Sequence, residues 1–164
     1  MIGRAVPVAT FFRPEQRRQL EVLLEAILPG TDDSPGATDA AAAEMVDRLL
    51  GAEPPIYYEV PAWRALYLEA LPAVDAACRA RTGKPLAEAA PDQVTALVTH
   101  LAVGKVEELP PSVDQRRLFG VLRSHCIEGC FADPRWGGNR EALIWRWYGY
   151  PAGPAQDFHR GRQR

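Results

Sequence analysis

Four side chains within six residues, His125, Cys126, Glu128 and Cys130, bring an imidazole, two thiols and a carboxylate into one short stretch. If that stretch is a helix, Cys126 and Cys130 share a face, where they could hold a metal or work as a redox pair. Zinc centres, however, take four ligands in paired short spacings, and the remaining histidines, His100 and His159, have no such companion. Successive helical turns also hold Cβ atoms about 5 to 6 Å apart, beyond the roughly 3.5 to 4.5 Å that a disulfide prefers. The cysteines are therefore expected to be reducible core thiols and His125 a satisfied helix histidine. A stand-alone redox or metal protein built on His125, Cys126, Glu128 and Cys130 is the alternative reading.

Other chemistries would need words that this sequence does not contain. A flavin or nicotinamide site needs Gly-x-Gly-x-x-Gly after a strand, to bring backbone N–H groups against pyrophosphate. Covalent haem needs Cys-x-x-Cys-His, which Cys126-x-x-x-Cys130 followed by Phe131 cannot replace. There is no Gly-x-Ser-x-Gly elbow, and Ser34, Ser112 and Ser124 stand in no context that would supply an activating base. No catalytic, cofactor-binding or metal-ligating residue is assigned, and the chain alone is expected to have no dehydrogenase activity.

A second cluster has the chemistry of contact. In Asp133-Pro134-Arg135-Trp136-Gly137-Gly138-Asn139-Arg140, two glycines permit positive φ or close backbone approach, and Asn139 can cap a short terminal helix. Three of the four tryptophans, Trp136, Trp145 and Trp147, fall in or just after it. In one reading, Asp133 and Asn139 close the loop while Trp136 and Trp145 fill the core. In the other, Trp136 is an interface anchor, and the partner-binding set is Asp133, Pro134, Trp136, Gly137, Gly138, Asn139 and Trp145. A free-standing small-molecule binder, with the tryptophans lining a pocket, is a third possibility.

The elements that must position these residues are helices. Pro14 suits a first helical turn, and Leu20, Leu23, Leu24, Ile27 and Leu28 form one stripe that Pro29-Gly30 ends. Thr38 is the expected cap of a second helix bearing Ala42, Met45, Val46, Leu49 and Leu50. After Glu53-Pro54-Pro55, Trp63, Leu66, Ala70, Leu71, Val74 and Cys78 resume the period, with a kink or restart expected at Pro72. Pro91 opens a helix carrying Val94, Leu97, Val98 and Leu101. Ser112 and Gln115 read as a capping box for a longer helix with Leu118, Phe119, Leu122 and Cys126. Arg13, Arg17 and Arg18 form a basic face, expected to be solvated. The fold class is all-α: one compact multi-helix domain over 14–153, with an extension at 1–13 and a basic tail at 154–164.

At 164 residues the chain can bury a core without disulfides. A formal net charge of -2 gives no attraction to nucleic acid or anionic membrane. No apolar run approaches the roughly 20 residues that cross a bilayer, so no membrane insertion is expected. Met1 to Phe12 has neither a signal-type apolar region nor a twin-arginine signal, so the sequence as written is expected to be cytoplasmic.

Several words occur in a set order: Ala26-Ile27-Leu28-Pro29, Ser34-Pro35-Gly36-Ala37, Phe119 through Gly129-Cys130-Phe131-Ala132-Asp133-Pro134, Gly137-Gly138-Asn139, and Trp145. In that order and spacing the sequence resembles the small-subunit family of gluconate 2-dehydrogenase and related membrane-linked sugar dehydrogenases, from about residue 14 to 153. The resemblance implies a non-catalytic subunit that binds a large FAD-dependent sugar or alcohol dehydrogenase and helps it to mature, stay soluble or be exported. It implies FAD and the catalytic base in the large subunit, and a cytochrome or other acceptor receiving electrons from the complex. The missing signal departs from many relatives with exported partners. Either the complex works in the cytoplasm, or the chain reaches the periplasm on a signal carried by the large subunit.

Overall fold

The computed structural model describes residues 10–150. The basic tail and the first nine residues of the N-terminal extension lie outside the described residues. Six α-helices and no strand make up the regular structure of the described part, as the periodicity requires. They are α1 (Pro14–Ile27), α2 (Ala42–Gly51), α3 (Val60–Thr82), α4 (Pro91–Val103), α5 (Gln115–Phe131) and α6 (Leu143–Tyr148). Prolines open α1 and α4 at the first position, where the missing N–H has no intrahelical partner to lose.

Helix α1 is the common neighbour, packing against α2, α3, α4 and α5. Its Leu20, Leu23 and Leu24 are fully buried, each contributing about 1.5–3 kcal/mol of transfer free energy. Ile27 and Leu28, at the end of the same stripe, are only half-buried. The other stripes add Val46, Leu50, Leu71, Val74, Val98, Leu101, Leu118 and Leu122 to the same core, all buried.

Four local expectations are corrected in whole or in part. Thr38 does not cap α2: Ala41 takes a left-handed conformation (φ 56°) that breaks the turn at 38–41, and the helix starts at Ala42. Ser112 and Gln115 form no capping box. Asp114 caps α5 by accepting from Arg117 N (3.0 Å), which frees Gln115 to clamp both backbone groups of Val106, N and O, at 2.9 Å. Helix α3 does not restart at Pro72. Pro72 and Leu68 are both exposed, so water can take up the Leu68 carbonyl that proline leaves without a donor. Arg17 is not simply solvated, since it pairs with the buried Asp47 at 3.1 Å, while Arg13 and Arg18 are exposed.

Three carboxylates hold the connections in place. Asp47 accepts from the N–H groups of Phe11 and Phe12 at 2.8 Å, and Asp75 from Leu86 N at 2.8 Å. Glu25 bridges the turn after α1, taking Gly30 N at 2.7 Å and Thr38 N at 2.8 Å. Asp47 and Asp75 thereby meet backbone donors that a packed loop would otherwise leave without water.

Candidate docking site

The aromatic cluster sits on a close helix contact. Helices α2 and α5 approach at Gly129, where an added Cβ would lie 2.7 Å from Ala42 Cα, so only glycine fits. The loop after α5 is laid on that point: a Cβ at Gly138 would overlap the Gly129 carbonyl oxygen, and Asn139 N donates to the same oxygen at 2.7 Å. Gly137 has φ 103°, and a side chain there would meet the Arg48 stem. Both glycines are thus needed, one for conformation and clearance, the other for close approach.

Asn139, wholly buried with φ 42°, is the latch. Its Oδ1 accepts from Ile144 N at 2.9 Å, in the first turn of α6, and its Nδ2 donates to Ala132 O at 3.1 Å. The expected capping role holds in altered form. Two short 3-10 turns, Pro134–Trp136 and Arg140–Ala142, flank the latch, and Ala142 rather than Asn139 directly precedes α6. Arg140 fastens the loop to the turn before α2, its N–H donating to Ala40 O at 3.1 Å, and to α2 itself, its guanidinium meeting Glu44 at 3.0 Å.

With the backbone held from inside, the side chains point outward. Trp136 does not fill the core, being 58% exposed, with the Arg135 guanidinium 5.8 Å from its ring centroid. Asp133 accepts from Arg135 Nη2 at 2.7 Å and from Arg135 N at 3.0 Å, which holds its carboxyl below the usual carboxylate range. Trp145 is half-buried, donating to Phe131 O at 2.8 Å and packing 5.3 Å from Tyr150. Trp147 is exposed, yet it donates to Asp33 O at 2.7 Å and ties α6 to the turn after α1.

Trp136 and Asp133, both in the expected partner-binding set, line a groove of about 530 Å³ most of whose other walls sequence reasoning missed. Met45 and Leu49 of α2 supply apolar surface, and Ile56 and Tyr57, both more than half exposed, line it as well. The available signal was the apolar run Ile56-Tyr57-Tyr58, which follows two prolines and belongs to no helical stripe.

The His125 cluster does not converge. His125 turns toward α3, with Nδ1 2.9 Å from the Tyr67 hydroxyl and its ring 4.7 Å from Trp63. Its Nε2 has no hydrogen-bond partner among the described residues, so the expectation of a satisfied histidine holds for one of its two nitrogens. Burial lowers its pKa to about 4 and pushes the Tyr67 hydroxyl up. Cys126 turns to α1, its Sγ 3.6 Å from Leu24 O. Cys130 is fully buried, its thiol pushed up by hydrogen bonding to Cys126 and by burial. Glu128 instead faces the groove. Among the described residues no group of three or more His, Cys, Asp or Glu side chains could hold a metal ion. The three cysteines are free and buried.

The family model described as gluconate 2-dehydrogenase subunit 3 matches residues 14–153, the span over which the sequence words run. No curated protein and no solved structure gives a match.

Proposed function

This chain belongs to the gluconate 2-dehydrogenase subunit 3 family, and from that premise we propose that it is the non-catalytic small subunit of an FAD-dependent sugar or alcohol dehydrogenase. In this reading it binds the large subunit, stabilises it and assists its maturation. The large subunit holds FAD and oxidises a CH–OH group, and a cytochrome or other acceptor takes the electrons through the complex. The observation that carries the reading is the latched loop: Asn139 and Gly138 fix its backbone from within, while Trp136 stays exposed beside an apolar groove. A rigid aromatic held at the edge of a preformed apolar depression loses little entropy on binding and suits an interface anchor.

Among the described residues no helix is long and apolar enough to cross a membrane. Binding in the cytoplasm serves either outcome for the complex: it functions there, or it leaves on a signal carried by the large subunit.

The test is affinity for the FAD-containing large subunit, measured alongside circular dichroism. Trp136→Ala should remain folded and lose on the order of 2 kcal/mol of binding. Unchanged binding by the folded variant would remove Trp136 from the interface. A flavin-free preparation of this chain that turned over substrate with a dye acceptor, and stopped on His125→Ala, would refute the accessory role. The groove volume also falls in the range of small-ligand pockets. Ligand-dependent quenching of tryptophan fluorescence in the isolated chain would favour a small-molecule binder instead.

A further inference from the structure

The charges around the groove specify what kind of partner surface enters it. Arg48 pairs with Glu44, and Arg135 is engaged by Asp133 and by the Trp136 ring. Glu128, one helical turn beyond the buried His125, enters none of the ion pairs among the described residues. Its carboxylate lines a wall shared with Met45, Leu49 and Tyr57, and desolvation there raises its pKa. A purely apolar occupant would strip the remaining water from this carboxylate and return nothing, and an acidic one would repel it.

We propose, building on the accessory-subunit reading, that the groove takes an apolar segment of the large subunit with a lysine or arginine beside it. The apolar side chains lie between Met45, Leu49 and Tyr57, and the cation meets Glu128. Trp136 and Tyr57, both lining the groove and both exposed, shield the pair from water, which makes the charge contact stronger than it would be on an open surface.

The test titrates the full-length chain against the purified FAD-containing large subunit of the same organism at low and moderate salt. Glu128→Gln should weaken Kd by about tenfold and flatten its salt dependence, and Glu128→Lys should weaken it by on the order of a hundredfold. Val103→Ser, an exposed apolar position on α4 outside the groove, should leave Kd unchanged. Because the Glu128 side chain is exposed and makes no hydrogen bond or ion pair among the described residues, these variants should melt like the parent. Binding lost in Trp136→Ala but kept in Glu128→Lys would overturn the basic-segment assignment and leave the accessory role standing. No binding by the unmodified chain would overturn both. A dimer of the isolated chain in sedimentation, dissociated by Glu128→Lys, would give the groove to a second copy and overturn the proposal.

Discussion

Replacing Asn139 with alanine should unlatch the C-terminal third of the docking surface. The side chain is wholly buried and serves two backbone groups, accepting from Ile144 N at 2.9 Å and donating to Ala132 O at 3.1 Å. Removing it leaves a buried N–H without an acceptor, which costs about 1–3 kcal/mol, with a smaller penalty for the carbonyl. Alanine must then occupy φ near 42°, a left-handed conformation that asparagine tolerates better, at a further cost of about 1 kcal/mol. The sum is roughly 3 kcal/mol. If the latch unfolds with the whole domain, Tm should fall by about 6–12 °C, at 2–4 °C per kcal/mol for a chain of this size. If it opens locally, exchange of the Asn139 and Ile144 amides should accelerate by on the order of a hundredfold while Tm moves less. Thermal melting with residue-resolved hydrogen exchange separates the two cases. A variant whose melting point and amide protection both match the parent would refute the latch.

Three further outcomes are expected. Gly138→Ala forces a Cβ into the Gly129 carbonyl and should destabilise the fold by at least about 1–3 kcal/mol, visible as a lower denaturant midpoint with an unchanged slope. His125 has a folded pKa of about 4 against an ordinary 6.5, so between those values the unfolded chain binds the extra proton. Its contribution is complete above about pH 6.5 and is lost as pH falls toward 4, by about 3 kcal/mol in all, and His125→Gln should flatten that part of the stability–pH curve. Cys78, Cys126 and Cys130 should resist alkylation in the native protein and all react once it is unfolded, as intact mass will show; a pair that stays unreactive until reduced would contradict the free thiols.

The route to the candidate site was partly visible in the sequence. Gly137, Gly138 and Asn139 could be picked out because left-handed conformation and close approach restrict residue type so strongly. Trp136 and Trp145 could be noticed but not placed, since a tryptophan fills a core or anchors an interface according to which way its loop faces. The structure puts Trp136 outside and Trp145 between the two. Met45 and Leu49 were read as core, and their buried stripe does serve it, yet the same stretch of α2 also walls the groove.

By itself the sequence determined the helices, because a stripe at i, i+3 and i+4 and a proline at the first turn are local properties: Pro14 and Pro91 open helices where they stand. It also determined the family, through words spread over residues 14–153. Tertiary structure decided the partners of polar groups. Asp47 holding Phe11 and Phe12, Asp75 holding Leu86, and Gln115 clamping Val106 rather than boxing with Ser112 depend on which backbone donors packing carries out of reach of water. The groove likewise depends on Gly129, which lets α2 and α5 close up and seats the Trp136 loop in the same lining as Ile56 and Tyr57. No local period encodes a distance between segments that the chain brings together only once it has folded.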